Sequence, residues 1–84
     1  MKGSELNWIV RKASELLSDK IEDGPLDEDD IELAYSIFAK PRLVKSLNSF
    51  RDKGEYYETV DCVKEKLHEV AQELNAKYWP DEGS

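Results

Sequence analysis

Apolar residues recur along most of the chain at steps of three and four, the spacing that places side chains on one face of an α-helix. The pattern divides into four segments and predicts helices at about residues 4–21, 28–39, 41–53 and 55–78. The most strand-like residues, Tyr56-Tyr57 and Thr59-Val60, fall inside the helical period of the last segment, so we predict no strand. The sequence therefore predicts an all-α fold, a small compact bundle of three to four helices.

The breaks between the segments contain residues that start or stop helices. Gly24 is expected to end the first helix, and Asp27 to cap the second, whose acidic first turn suits the helix dipole. Lys40 precedes Pro41, and a residue before proline is pushed out of the α region. The second helix is therefore predicted to end near Ala39, and Pro41 to lie in the first turn of the third.

The fourth segment has the longest apolar stripe, running from Tyr56 to Tyr78. The 84 residues (1–84) form one small domain, and a core of that size rarely supplies more than about 3–5 kcal/mol of stability. We therefore expect part of the fourth stripe to be covered by a second copy, in a homodimer through the fourth helix. Residues 79–84 are predicted to be a flexible C-terminal tail.

The cysteine count and the N-terminal residues indicate a cellular setting. Cys62 is the single cysteine, so no disulfide can form within the chain, whereas a secreted domain this small would usually have several. Near the N-terminus the only continuous apolar run is Trp8-Ile9-Val10, which is too short for a signal-peptide core or a membrane span. The sequence therefore predicts a cytoplasmic protein with no membrane association.

Few residues could carry catalysis. The single histidine, His68, lies in a polar row of the fourth helix made of Asp61, Lys64, His68, Gln72 and Asn75. A general base needs a dry site and an orienting partner, which a solvated helix face does not offer. Cys62 is expected to pack at the edge of the apolar stripe, and one cysteine with one histidine cannot make a four-ligand zinc site. We predict no enzyme and no catalytic residue.

Two types of ligand site can be tested against the sequence. No glycine-rich phosphate-binding loop is present. Residues 19–30 contain acids at several positions of a calcium-binding EF-hand loop, but Ile21 stands where a ligand oxygen is required. An acidic linker whose Asp27 caps a helix explains this segment better. We therefore predict neither a bound metal nor a cofactor.

The net charge of −7 is unevenly distributed along the chain. Residues 1–39 contain 4 bases and 10 acids, residues 40–53 contain 5 bases and 1 acid, and residues 54–84 contain 3 bases and 8 acids. A cationic segment of +4 therefore lies between anionic segments of −6 and −5. The total disfavours diffuse nucleic-acid binding, but it does not exclude a focused contact through residues 40–53.

Residues 30–49 resemble a helix-turn-helix unit, in which buried residues lie at fixed offsets around a short turn. The inward positions would be held by six apolar residues: Leu33, Ala34, Ile37, Ala39, Val44 and Leu47. The resemblance implies that Lys40, Arg42 and Lys45 point outward, toward a DNA groove. Phe38 departs from the pattern, because it stands where the turn favours glycine.

Residues 43–63 also resemble a single tetratricopeptide-type hairpin, although Thr59 and Lys66 stand where alanine is typical. One such hairpin would not be stable alone. Because the two likenesses compete for the same residues, we assign the chain to no family.

Two classes of function remain. The first is a protein-interaction module, an adaptor, inhibitor or antagonist whose acidic surface could mimic nucleic-acid charge. Its candidate acidic contacts are Asp27, Glu28, Asp29, Asp30 and Glu32. Its candidate aromatic contacts are Trp8 and Trp79, because tryptophan is enriched in binding hot spots. The second class is a DNA-binding regulator that uses Lys40, Arg42 and Lys45.

Each candidate set also has a purely structural explanation. The acids could serve only to cap a helix and to keep the protein in solution. Each tryptophan could close one end of the core of its own chain. The cationic residues could pair with the acidic second helix, which would leave little charge for DNA.

Overall fold

The computed structural model describes residues 3–80, and the regular structure within that range is entirely helical. The α-helices in chain order are α1 (Gly3–Lys20), α2 (Glu28–Ala34), α3 (Lys40–Lys45) and α4 (Lys53–Tyr78). Three short segments of other helix types lie between them: a 3₁₀ turn at Ile21–Asp23, a π-helical segment at Tyr35–Ala39 and a 3₁₀ turn at Leu47–Ser49. The predicted all-α fold is confirmed. Residues 81–84 of the predicted tail lie outside the described range.

The core lies between α1, α4 and the helical residues 28–45, which we call the central stretch. The fully buried side chains include Ile9 and Leu17 of α1, Leu43 of α3, and Val63 and Leu67 of α4. The buried residues of α1 and α4 belong to the predicted stripes, so the inner faces of these two helices are those that the sequence indicates. Most of the α4 stripe contacts the core of its own chain, which leaves little of it for the predicted homodimer contact.

The predicted break at Lys40 does not occur. Lys40 has α-helical angles (φ −55°, ψ −49°), and its N–H bonds to the carbonyl of Tyr35, five residues earlier. In a regular helix, Pro41 would leave one carbonyl unpaired and its ring would clash with the residue 37 carbonyl. The wider π turn immediately before Pro41 changes the hydrogen-bond register at this point. The chain therefore remains helical from residue 28 to residue 45.

The third helix is shorter than predicted, because it ends at Lys45 rather than near residue 53. After the second 3₁₀ turn, Phe50 is extended (φ −86°, ψ 142°). Asp52 then caps α4, since its Oδ1 accepts a hydrogen bond from the Glu55 N–H at 2.9 Å. Glu55 Oε2 accepts one from the Arg51 N–H at 3.2 Å. With the Asp52 cap, α4 starts at Lys53, two residues before the predicted position.

The connection from α1 to α2 follows the prediction more closely. Gly24 has φ 153° and ψ 176°, a conformation that is essentially restricted to glycine. Asp27 caps α2 as predicted: its Oδ1 accepts from the Asp30 N–H at 3.1 Å, and Asp30 Oδ2 accepts from the Asp27 N–H at 3.2 Å. Leu26, between these residues, turns its side chain into the core. The conformation of the acidic linker is thus fixed at Gly24 and again at Leu26 and the Asp27 cap.

Candidate functional site

The predicted acidic surface is present but largely engaged within the chain. Asp27 and Asp30 bond to each other's backbone, and Asp30 also lies 4.0 Å from Lys20 Nζ. Glu28 Oε1 lies 3.7 Å from His68 Nε2 on α4. Asp29 is exposed and makes no ion pair with any residue of the described range. The geometry therefore favours a capping and packing role for most of this cluster.

Glu32 is the fifth acid of the cluster and lies beside a buried tyrosine. Lys64 Nζ donates to Glu32 Oε1 at 3.2 Å and lies 4.8 Å from the centre of the Tyr35 ring. Burial raises the pKa of the Tyr35 hydroxyl above its ordinary value of 10.0, and the nearby Tyr56 and Glu32 add to this effect. Lys64 thus joins α4 to the central stretch through one ion pair and one cation–π contact.

The predicted cationic residues Lys40, Arg42 and Lys45 are all exposed. Arg42 stacks on Trp8, with its guanidinium carbon 3.7 Å from the centre of the indole ring. Within residues 3–80, none of the three forms an ion pair with the acids of α2, which pair instead with residues 20, 64 and 68. The positive charge of α3 is therefore not neutralised by its neighbouring helix.

The two tryptophans predicted as partner contacts both have contacts within the chain. Trp8 is half-buried and packs edge-on against Phe38, with ring centres 6.3 Å apart. Trp79 is 46% exposed, but its Nε1–H donates to the Ile21 carbonyl at 2.6 Å, and that carbonyl also accepts from the Gly24 N–H at 3.3 Å. Trp8 therefore packs against the core, whereas Trp79 is held to the first 3₁₀ turn by a hydrogen bond and remains largely accessible.

Asn75 has a role that its place in the polar row of α4 does not indicate. Its Oδ1 accepts from the Leu26 N–H at 2.7 Å, and its Nδ2 donates to the Leu26 carbonyl at 3.0 Å. The residue belongs to the polar row of α4, and its position near the helix end allows it to meet the α1–α2 connection. No local pattern indicates a pairing between residues 49 positions apart.

The candidate chemical groups are dispersed. Cys62 is exposed rather than packed at the edge of the stripe, and His68 faces Glu28 on the surface. Within residues 3–80, no three side chains of histidine, cysteine, aspartate or glutamate cluster closely enough to hold a metal ion. Over the same range, none of the helices combines the length and the apolar character needed to cross a membrane.

The central stretch has an exposed apolar face opposite the core. Leu33 is 41% exposed, and Ile37 and Val44 are each 49% exposed. Pro41, which is also exposed, follows Ile37 by four residues and precedes Val44 by three. We call the row Leu33, Ile37, Pro41 and Val44 the outer stripe. A helix that is apolar on two opposite faces normally buries both, so the outer stripe is the candidate functional site.

The exposure of the outer stripe contradicts the inward positions that the helix-turn-helix likeness predicts. Of the six residues, Ala34 and Ala39 are buried, whereas Leu33, Ile37, Val44 and Leu47 are 41–49% exposed. The likeness places a turn near Phe38, but Phe38 lies within the unbroken helical path. A turn there would have redirected α3 and aimed Val44 and Leu47 at the core. Because the helix continues, these side chains remain on the outside.

An open apolar groove lies just after α3, and the exposed Leu47 is part of its lining. It is formed by the second 3₁₀ turn and the first turn of α4, and its lining residues are Leu47, Phe50, Asp52, Lys53, Tyr56 and Tyr57. Leu47 is 48% exposed and Tyr57 is 61% exposed. Phe50 and Tyr56 are partly buried, with their rings edge-to-face and 5.5 Å apart. The groove can accept an apolar side chain.

Comparison with known proteins does not assign a family. No family model matches this chain, and neither a curated protein nor a solved structure matches it.

Proposed function

We propose that this protein is a small acidic helical protein-interaction module, which binds another polypeptide chain through the outer stripe. The exposure of Leu33, Ile37 and Val44 on a helix whose opposite face is the core carries this proposal. Single exposed apolar residues are common on protein surfaces, but a row along one helix face is typical of a docking site. An adaptor, an inhibitor and an antagonist would all use such a face.

The apolar face replaces the acidic surface as the principal contact in this proposal. Four of the five candidate acids have partners within the chain, so releasing them for a ligand would break a cap or an ion pair. Binding through the outer stripe breaks no such cap or ion pair, because its side chains are solvated in the free protein. The remaining accessible edges of Trp8 and Trp79 would enlarge the contact only if the partner extended around the bundle ends.

Site-specific photo-crosslinking tests the proposal. A photoreactive amino acid at Ile37 should capture another polypeptide in extracts of the source cells, and mass spectrometry of the product identifies it. The same amino acid at Glu65, an exposed residue on the outer side of α4, is the matched control. Capture at both positions with equal yield, or at neither, would contradict the proposed interface.

DNA binding through Lys40, Arg42 and Lys45 is the second candidate function. The exposure of these residues and the absence of ion pairs to the acids of α2 within residues 3–80 favour it. The unbroken helix at Phe38 and the stacking of Arg42 on Trp8 disfavour a recognition helix of the usual form. Fluorescence anisotropy with duplex DNA at low salt tests it. If charge reversal at the three positions leaves any DNA binding unaltered, this candidate fails.

A further inference from the structure

Five exposed residues of the central stretch, which we call the outer face, are arranged symmetrically around Ile37, whereas Val44 of the outer stripe has Asp30 at the corresponding position. Leu33 and Pro41 lie four residues before and after it, and Asp29 and Lys45 lie eight residues before and after it. All five are exposed and recur at steps of four along one side of the central stretch. The apolar Leu33 thus corresponds to the apolar Pro41, and the acidic Asp29 corresponds to the basic Lys45. A surface of this kind is complementary to an antiparallel copy of itself.

We propose that the outer stripe binds a second copy of this chain, antiparallel and related by a two-fold axis at Ile37. In this dimer Ile37 packs on Ile37 of the partner subunit, and Leu33 packs on Pro41 of the partner subunit. Asp29 faces Lys45 of the partner subunit, and the symmetry repeats that pair at the other end. The inference rests on the proposed function, because it names the occupant of the same surface.

The charges at the two ends are available for such pairing. Asp29 and Lys45 are both exposed, and neither forms an ion pair with another residue in the range 3–80. Their neighbours are engaged elsewhere, since Glu28 faces His68 and Arg42 stacks on Trp8. Pairing Asp29 with Lys45 of the partner subunit therefore requires no existing contact to break.

Charge complementarity also favours a second copy over a helical partner of uniform charge. The outer face is negative at Asp29, apolar in the middle and positive at Lys45. A partner helix of uniform acidic or basic character would meet a like charge at one end, and like charges held together oppose binding. An antiparallel copy meets an opposite charge at both ends.

The size of the contact sets the expected strength. The central stretch has 18 residues, and at 1.5 Å per residue it is about 27 Å long. One helix pair of this length falls at the small end of specific interfaces, below about 1,200 Å² of total buried surface. The dimer should therefore be reversible, with a dissociation constant on the order of micromolar to hundreds of micromolar.

Charge-reversal variants at Asp29 and Lys45, with dimerisation measured by sedimentation velocity, test the proposed arrangement. Asp29→Lys alone and Lys45→Asp alone should each weaken dimerisation about tenfold, because the symmetry places every substitution at two like-charge contacts. An equimolar mixture of the two variants should recover wild-type dimerisation, because both contacts then join opposite charges. The double variant Asp29→Lys/Lys45→Asp should also recover it. Circular dichroism at low concentration verifies that each variant is folded.

Glu65→Lys and Lys66→Asp on the outer side of α4 are matched reversals that should leave dimerisation unchanged. A wild-type chain that stays monomeric to 1 mM would overturn the dimer, as would a mixture of the two outer-face variants that fails to recover association. If Ile37 then still crosslinks to a different protein, the proposed interaction module stands and only the second copy is excluded. If it crosslinks to no polypeptide, both proposals fail.

Discussion

Among single residues, Asn75 makes the contact that most directly joins two distant parts of the chain. Its side-chain amide pairs with both backbone groups of Leu26, in a setting where water reaches only in part. Unsatisfied buried backbone groups are costly, so loss of this amide should matter more than its position in a polar row indicates. The pairing holds the connection that precedes the Asp27 cap.

We predict that Asn75→Ala lowers the free energy of unfolding by about 2 kcal/mol, because two hydrogen bonds are lost and the Leu26 groups lose their partners. Urea denaturation followed by circular dichroism measures the change. Gln72→Ala, which removes an exposed amide one turn earlier on α4, is the control and should change stability by less than about 0.5 kcal/mol. Equal effects from the two substitutions would show that the Leu26 pairing is not stabilising.

Tyr35 gives a prediction about pH. Burial raises the pKa of its hydroxyl in the folded state, so the unfolded chain loses this proton first as pH rises. The stabilising contribution of the neutral hydroxyl is therefore complete below about pH 10 and is lost as pH rises through the higher folded-state pKa. Stability measured by urea titration from pH 9 to 11 should fall less steeply in Tyr35→Phe than in wild type.

Tyr57→Phe is the matched control for that titration, because it removes a tyrosine hydroxyl from a side chain that is 61% exposed. If the Tyr35→Phe slope equals the wild-type slope, desolvation of Tyr35 does not contribute to the alkaline loss of stability.

Among the elements, the central stretch separates what the sequence could predict from what it could not. The period of three and four residues correctly predicts the helices and the buried faces of α1 and α4, and Asp27 correctly marks the start of α2. The rule for a residue before proline fails at Lys40, because a π turn accommodates Pro41. Sequence periodicity alone does not reveal a π turn, so the predicted orientation of α3 is wrong.

The candidate site depends on that same element. The helix-turn-helix likeness predicts inward positions for Leu33 and Ile37, since an apolar residue near a helix's inner face normally packs inward. Only the continuous path through Pro41 aligns them with Val44 on the outside. The cationic character of residues 40–53 and the exposure of Lys40 and Lys45 were predictable from composition and spacing, whereas the stacking of Arg42 on Trp8 was not.

The two faces of the central stretch should respond differently to truncation. Leu43 is fully buried on the inner face, so Leu43→Ala should lower the free energy of unfolding by about 2–4 kcal/mol, through lost burial and the cavity left behind. Ile37 is half-exposed, so Ile37→Ala should cost less than about 1 kcal/mol in the monomer. Denaturation at low micromolar protein measures both. A larger loss at Ile37 than at Leu43 would contradict the assignment of inner and outer faces.

For the whole molecule, the charge distribution agrees with side-by-side association of the central stretches. Much of the net charge of −7 lies outside the outer face, whose own end charges, Asp29 and Lys45, cancel. Two copies can thus approach along this face with little local repulsion, although the two chains repel each other at longer range.

In the proposed dimer the outer stripe is the interface with a second copy of the chain. Association through this surface can be followed in amide NMR spectra recorded from 20 µM to 1 mM protein. We expect concentration-dependent shifts at Leu33, Ile37 and Val44, and constant positions at Glu65 and Lys66 on the outer side of α4. Spectra that stay unchanged across this range, or shifts confined to α4, would contradict the proposed dimer.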